Sequence, residues 1–219
     1  MAETSGSQNN VAAPIYKLTI EIIFGVIIGV SFTDYNKELV PFVLNFENVM
    51  ILVAYITVLA SLVGYMITIS IREHKFVYRF AIDLVLVFLY YQLIYSPKHD
   101  FEFFLSVFPW IFGGYFVWQV FEWHEYNGNS NYSGFKPKLY YSIPSFAISL
   151  GVWLYYYFLH PIKAVNVAME ELPVRYENVT IVEWILLGII LSVVLGFRIY
   201  PWLKREWEKR HPKKVKGKV

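Results

Sequence analysis

Three ionisable side chains stand inside apolar runs, and their chemistry sets the first question. Glu21 opens "EIIFGVIIGV" (21–30), and Arg79 and Asp83 lie four residues apart in "RFAID" (79–83). A charged group at the bilayer centre costs about 2.5–3.5 kcal/mol on insertion scales, so each needs a partner, a wet cavity or a neutral form. Spacing of four sets Arg79 and Asp83 side by side on a helix and predicts an ion pair. Glu21 and Asp83 sit at matching depth, roughly 10 Å from the same membrane edge at 1.5 Å per residue. If the first and third helices are neighbours, Glu21 joins the same guanidinium. Two acids on one base leave an excess negative charge, which a proton or a bound cation must relieve. That chemistry belongs to an ion or proton pathway. The plainer account is that Arg79 snorkels to headgroups, Asp83 pairs with it, and Glu21 reaches the interface or is protonated.

"FEWHEY" (121–126) sets Glu122 and Glu125 one turn apart, with His124 between them in sequence. Carboxylate and imidazole are divalent-metal ligands, which makes these three weak metal candidates. His124 lies off the Glu122–Glu125 face, so a solvated acidic helix end is the expected arrangement. A polar stripe of helical spacing runs through Thr57, Ser61, Gly64 and Thr68, and a shorter one through Ser142, Ser145 and Ser149. Such hydroxyls line a hydrated path or bond their own and neighbouring backbones. Gly25 and Gly29 share a helix face with Glu21, and Gly188, Ser192 and Gly196 repeat the interval of four. Small residues at that spacing let helix backbones approach closely, so both faces are expected to pack on helices, within the chain or between chains, with Glu21 turned toward protein.

Several chemistries have no residues to carry them. The chain contains no cysteine, which excludes disulfides, thiolate metal sites and Cys nucleophiles. Phosphate-binding loops, nucleophile elbows and zinc-protease motifs are missing from the sequence. The five histidines fall at helix ends, in loops or in the tail, which disfavours a bis-histidine haem. No cofactor is expected. A lipid-modifying enzyme using Glu122, His124 and Glu125 is a lesser alternative to a pathway or to a non-catalytic subunit of a membrane complex.

The elements that position these residues follow from composition. Of 219 residues, 57% are hydrophobic and 16% charged, against roughly a quarter charged in soluble domains. Six apolar stretches, at 14–34, 47–71, 76–96, 102–123, 139–160 and 180–203, approach the length that crosses the hydrocarbon. In lipid a lone segment satisfies its backbone only as a helix. The fold class expected is therefore all-α, a polytopic bundle of six transmembrane helices over 14–203. It follows a polar disordered leader (1–13) and precedes a basic cytoplasmic tail (204–219).

Lys and Arg accumulate in cytoplasmic segments. With both termini inside, Lys17, Arg72, Lys75, Arg79, Lys136, Lys138 and the tail lie on the inner side, while the outer loops keep Lys37, Lys98, Lys163 and Arg175 with most of the acids. The expected location is the cell membrane, multi-pass. The tail follows a span directly, so it is expected on anionic lipid, at about 1 kcal/mol per near-surface base, rather than on nucleic acid. A homo-oligomer or other membrane subunits are the expected protein partners.

Trp110, Trp123, Trp184 and Trp202 are read as interface markers, and "YYQLIY" (90–95) and "YYYF" (155–158) as packing aromatics or a ring-lined passage. Asn178 and Asn131 begin glycosylation sequons, in an outer and an inner loop respectively. "SFTD" (31–34) is a degenerate likeness to the Phe-Ser-Asp of the small prokaryotic relatives of the lysosomal potassium channel family. That motif lies near the cytoplasmic start of the family's first helix, whereas Phe32, Thr33 and Asp34 fall at the outer end, so no family is assigned.

Overall fold

A computed structural model describes the backbone of residues 9–71, 77–126, 135–159 and 179–210, and side chains over 14–68, 77–125, 141–158 and 179–197. Within these residues the regular structure is helical: α1 (Asn9–Leu39), α2 (Phe46–Ile71), α3 (Val77–Tyr95), α4 (Phe101–Tyr126), α5 (Phe135–Leu159) and α6 (Ile181–Arg210), with a 3-10 turn at Ser96–Lys98. Four stretches are long and apolar enough to cross a membrane: Pro14–Leu39, Phe46–Thr68, Val77–Lys98 and Phe101–Glu125. In α6 the apolar part described is the shorter Ile181–Phe197.

The ends differ from the apolar boundaries. Helix α1 begins at Asn9, within the stretch expected to be a disordered leader, and α6 runs to Arg210, carrying helix into the basic segment. Helix continues there through polar residues, which hydropathy alone does not report. The "REHK" connection (72–75), the sequon at 131–133, Asn178 and residues 1–8 and 211–219 lie outside the described residues.

Three starts are fixed by side-chain caps. The Asn48 N–H donates to Asn45 Oδ1 at 2.7 Å ahead of α2, and the Phe103 N–H to Asp100 Oδ1 at 2.5 Å ahead of α4. At α6 the Thr180 N–H donates to Glu183 Oε2 at 2.6 Å, one half of a capping box. Each cap satisfies donors that the first turn leaves open. Asn48 also reaches back, its amide donating to the Glu38 and Val43 carbonyls at 3.1 and 2.8 Å, which ties the α1–α2 connection down.

Helices α2, α3, α4, α5 and α6 touch in sequence, and α6 returns to α2, closing a ring; α1 seats outside it against α2 and α3. Aromatic rings lock the closure. Phe46 meets Phe101 and Trp184 edge-on at 5.0 and 5.1 Å, and Phe101 meets Tyr156 at 5.1 Å, joining α2, α4, α5 and α6 at one end. Farther along, Phe112 and Tyr115 both reach Phe197 of α6 at 5.3 Å. The tyrosine runs divide: Tyr90 is buried, while Tyr155 and Tyr157 face outward. Trp110 is not an end marker. It stands nine residues into α4, about 14 Å along it, and is 68% exposed.

Gly114 is the tightest point between α3 and α4. A Cβ there lies 2.7 Å from Leu86 Cδ2, and Leu86 is buried. Gly114→Ala is expected to push Leu86 off its rotamer at a cost of about 1–3 kcal/mol. Thermal unfolding in detergent checks this, and Leu86→Val in the same chain should recover part of the loss.

Candidate functional site

Arg79 is the third residue of α3 and Glu125 the last but one of α4, and the antiparallel pairing of these helices brings them together. The guanidinium Nη1 donates to Glu125 Oε2 at 2.5 Å. Both side chains are buried, Arg79 completely. The Trp118 ring, two turns before Glu125, lies 4.4 Å from the guanidinium carbon and covers one of its faces, a cation–π contact that strengthens when desolvated. Each charge sits at the unfavourable pole of its helix, the cation at an N-terminus and the anion at a C-terminus. Their pairing offsets both penalties.

The ion pair of Arg79 thus runs across the helix interface to Glu125, whereas i,i+4 spacing alone points along the helix to Asp83. Asp83 is nonetheless buried one turn farther on, and Glu122 is fully buried one turn before Glu125. The "FEWHEY" end is accordingly not a solvated acidic tip: its acids turn inward while Trp123 and His124 face out. Glu122 and His124 do not converge, and no group of three or more metal-ligating side chains occurs among the described residues.

Glu21 takes a different partner from the one its depth suggests. Its Oε1 lies 3.7 Å from Lys17 Nζ on α1, an ion pair beyond hydrogen-bonding distance, and the side chain keeps 29% exposure. It still belongs to the same neighbourhood. Tyr65 of α2 lies within Coulomb range of Asp83, Glu21 and Arg79 together. Four helices therefore bring Glu21, Tyr65, Arg79, Asp83, Glu122 and Glu125 to one end of the bundle.

The hydroxyl stripes turn inward and are mostly engaged. Thr57 and Ser61 are buried, Thr57 donating to the Val53 carbonyl at 2.7 Å and the half-buried Thr68 to the Gly64 carbonyl at 2.8 Å. On α5, Ser142 donates to Gln119 Oε1 of α4 at 2.9 Å, Ser145 is buried, and Ser149 donates to the Phe146 carbonyl at 3.0 Å. The glycine faces lie open instead. A Cβ at Gly25, Gly29, Gly188 or Gly196 meets nothing within 4 Å, and Ser192 is exposed, donating to the Gly188 carbonyl at 2.8 Å. Gly188, Ser192 and Gly196 line a groove of about 690 Å³ against Pro144, Ser145 and Ile148 of α5.

Sequence spacing misses a second polar group at the opposite end. Tyr95 donates to Asp34 Oδ2 at 2.7 Å, Tyr35 to the Ile94 carbonyl at 2.9 Å and Tyr55 to Ser31 Oγ at 2.9 Å. Lys98 Nζ stands 4.4 Å above the Tyr35 ring. The available signal is tyrosine beside acid and lysine at span ends. Between the two groups, the Tyr90 and Tyr115 hydroxyls share a short hydrogen bond across α3 and α4.

Among the described residues the fold and this cluster define an all-helical protein with four helices long and apolar enough to cross a membrane and a charge cluster buried at one end. Compared with protein-family models, curated proteins and solved structures, the chain matches none. Glu125→Ala is expected to strand the buried guanidinium and cost about 3–5 kcal/mol, read as a drop in unfolding temperature in detergent. Glu21→Ala, removing a part-exposed helix pair, should cost under about 1 kcal/mol.

Proposed function

We propose that the chain is a six-span cell-membrane protein with both termini cytoplasmic, and that the carboxylates around Arg79 form the inner charged station of an ion or proton pathway. The observation that carries this is a fully buried guanidinium with three buried acidic residues, Asp83, Glu122 and Glu125, on the two helices it joins. Ionisable groups held inside a membrane bundle are costly and mark routes for ions or protons. The inward Thr57 and Ser61 and the Tyr90–Tyr115 pair extend polar groups along the interior. Helices α5 and α6, with 25 and 30 residues, are long enough at 1.5 Å per residue to exceed the roughly 30 Å core. The basic segment after 203 then lies against anionic headgroups.

A second reading, a non-catalytic subunit of a membrane complex, is favoured by one observation. The small-residue faces of α1 and α6 point outward with open space over the glycines, which suits contact with another protein rather than within the chain. In that case the charged cluster only sets helix register.

Two measurements test the proposal. The cysteine-free background permits single-cysteine labelling: a cysteine at Lys37 should react from outside intact cells and one at Lys213 only after permeabilisation. Purified chain in liposomes should pass ions or protons, and Glu125→Gln should lower the flux at least tenfold. Silent liposomes, together with stoichiometric copurification of membrane partners that Gly188→Leu abolishes, give the subunit reading instead.

A further inference from the structure

We propose that the particle exchanged at this site is a proton, and that Glu125 takes it up as Arg79 changes carboxylate partners. The inference deepens the pathway reading by naming what moves, and it stands on the unfilled valence of one side chain. A guanidinium presents five N–H donors. In Arg79, Nη1 binds Glu125, while Nε and Nη2 are buried without a hydrogen-bond acceptor among the described residues. Idle buried donors are unfavourable, so the side chain has standing capacity for a second acceptor. Glu122 precedes Glu125 by three residues and Asp83 follows Arg79 by four, the intervals that place side chains on one helix face. Both are buried.

The exchange balances simply. A proton from water bonds to Glu125 Oε2, the Nη1 hydrogen bond to that oxygen breaks, and the guanidinium turns its donors to ionised Glu122 or Asp83. The site gains one positive charge and nothing else is consumed. Release reverses each step.

A metal ion fits poorly in the same place. It has to approach a guanidinium in a medium of low dielectric, where like charges repel strongly. It also needs a shell of several oxygens, whereas one guanidinium face is occupied by the Trp118 ring and the donors of Arg79 compete for each carboxylate. A proton needs one oxygen. An anion is opposed by the three acids.

Among the described residues, other charged and titratable groups near the site come from α1, α2, α4 and α5. From α1 come Glu21 and Lys17, paired with each other and part-exposed, which makes Glu21 the group best placed to pass protons from solvent. From α2 comes Tyr65. On α4 His124 faces outward, and on α5 Tyr141 is half-buried.

Infrared difference spectra of the purified chain, recorded across a pH titration in light and heavy water, test proton uptake directly. The expected result is a protonated-carboxyl band from a slowly exchanging buried acid that disappears as pH rises. Glu122→Gln, which leaves the Arg79–Glu125 pair intact, should shift its midpoint, and Glu125→Gln should remove it. A wild-type chain with no titrating buried carboxyl overturns the proposal, as does a band unmoved by both variants. In liposomes with an internal pH dye, proton flux should persist when potassium and sodium are replaced by a large organic cation. Potassium or sodium flux without proton flux overturns the proton assignment and leaves the pathway standing. Absence of any flux overturns the pathway, and the infrared band then decides proton binding by itself.

Discussion

The buried guanidinium of Arg79 is the constraint around which the interior is arranged. Removing an ion from water costs several kcal/mol even after relaxation, and only a well-placed counter-charge with further hydrogen bonds returns that cost. Glu125 supplies the charge and Trp118 a ring face. Both come from α4, so α3 and α4 have to run antiparallel and stay in one register. The 3-10 turn at Ser96–Lys98 and the Asp100 cap set that register from the far end. A slip of one residue swings a side chain about 100° around the helix and takes Glu125 away from Arg79.

Around this pair the polar groups are layered. Asp83, Glu122 and Tyr65 lie at the same end, the Tyr90–Tyr115 hydroxyls about 10 Å farther along α3, and Tyr35, Tyr55, Tyr95, Asp34 and Lys98 at the opposite end. Thr57, Thr68 and Ser149 each bond a carbonyl of their own helix. A hydroxyl that returns its proton to the backbone keeps its lone pairs free to accept.

The helices, four of them long and apolar enough to cross a membrane, were legible because unbroken hydropathy announces such a helix and the backbone has no other solution in lipid. Their ends were less so, since the first turns of α1 and the last of α6 are polar. Glu21, Arg79 and Asp83 were recognisable from their cost. The partner of Arg79 was not, because i,i+4 spacing carries information only along one helix, and Glu125 lies 46 residues away in sequence. The acids of "FEWHEY" misled for a deeper reason. Soluble proteins turn charge outward, but a helix facing lipid turns Trp123 out and Glu122 in. Small-residue spacing at Gly25 and Gly188 marks faces able to approach a helix closely, and is silent about which helix, or whose.

Between Asp83 and Tyr90 the interior changes character. Leu86 and Val87 are buried there, and Leu86 presses on the α4 backbone at Gly114. On the pathway reading, this apolar layer is the barrier that a charge leaving the Arg79 cluster meets first. Along α3 itself, seven residues, a rise of about 10 Å, separate Asp83 from Tyr90. On the same reading, side chains of α3 alone stand too far apart for hydrogen bonds of about 3 Å to join them, and water entering between α3 and α4 would bridge the layer. Leu86 is the side chain it has to displace. The absence of a Cβ at Gly114 leaves the seat into which Leu86 fits when the layer is dry. On the pathway reading, the close contact that stabilises the helix pair also holds the route shut.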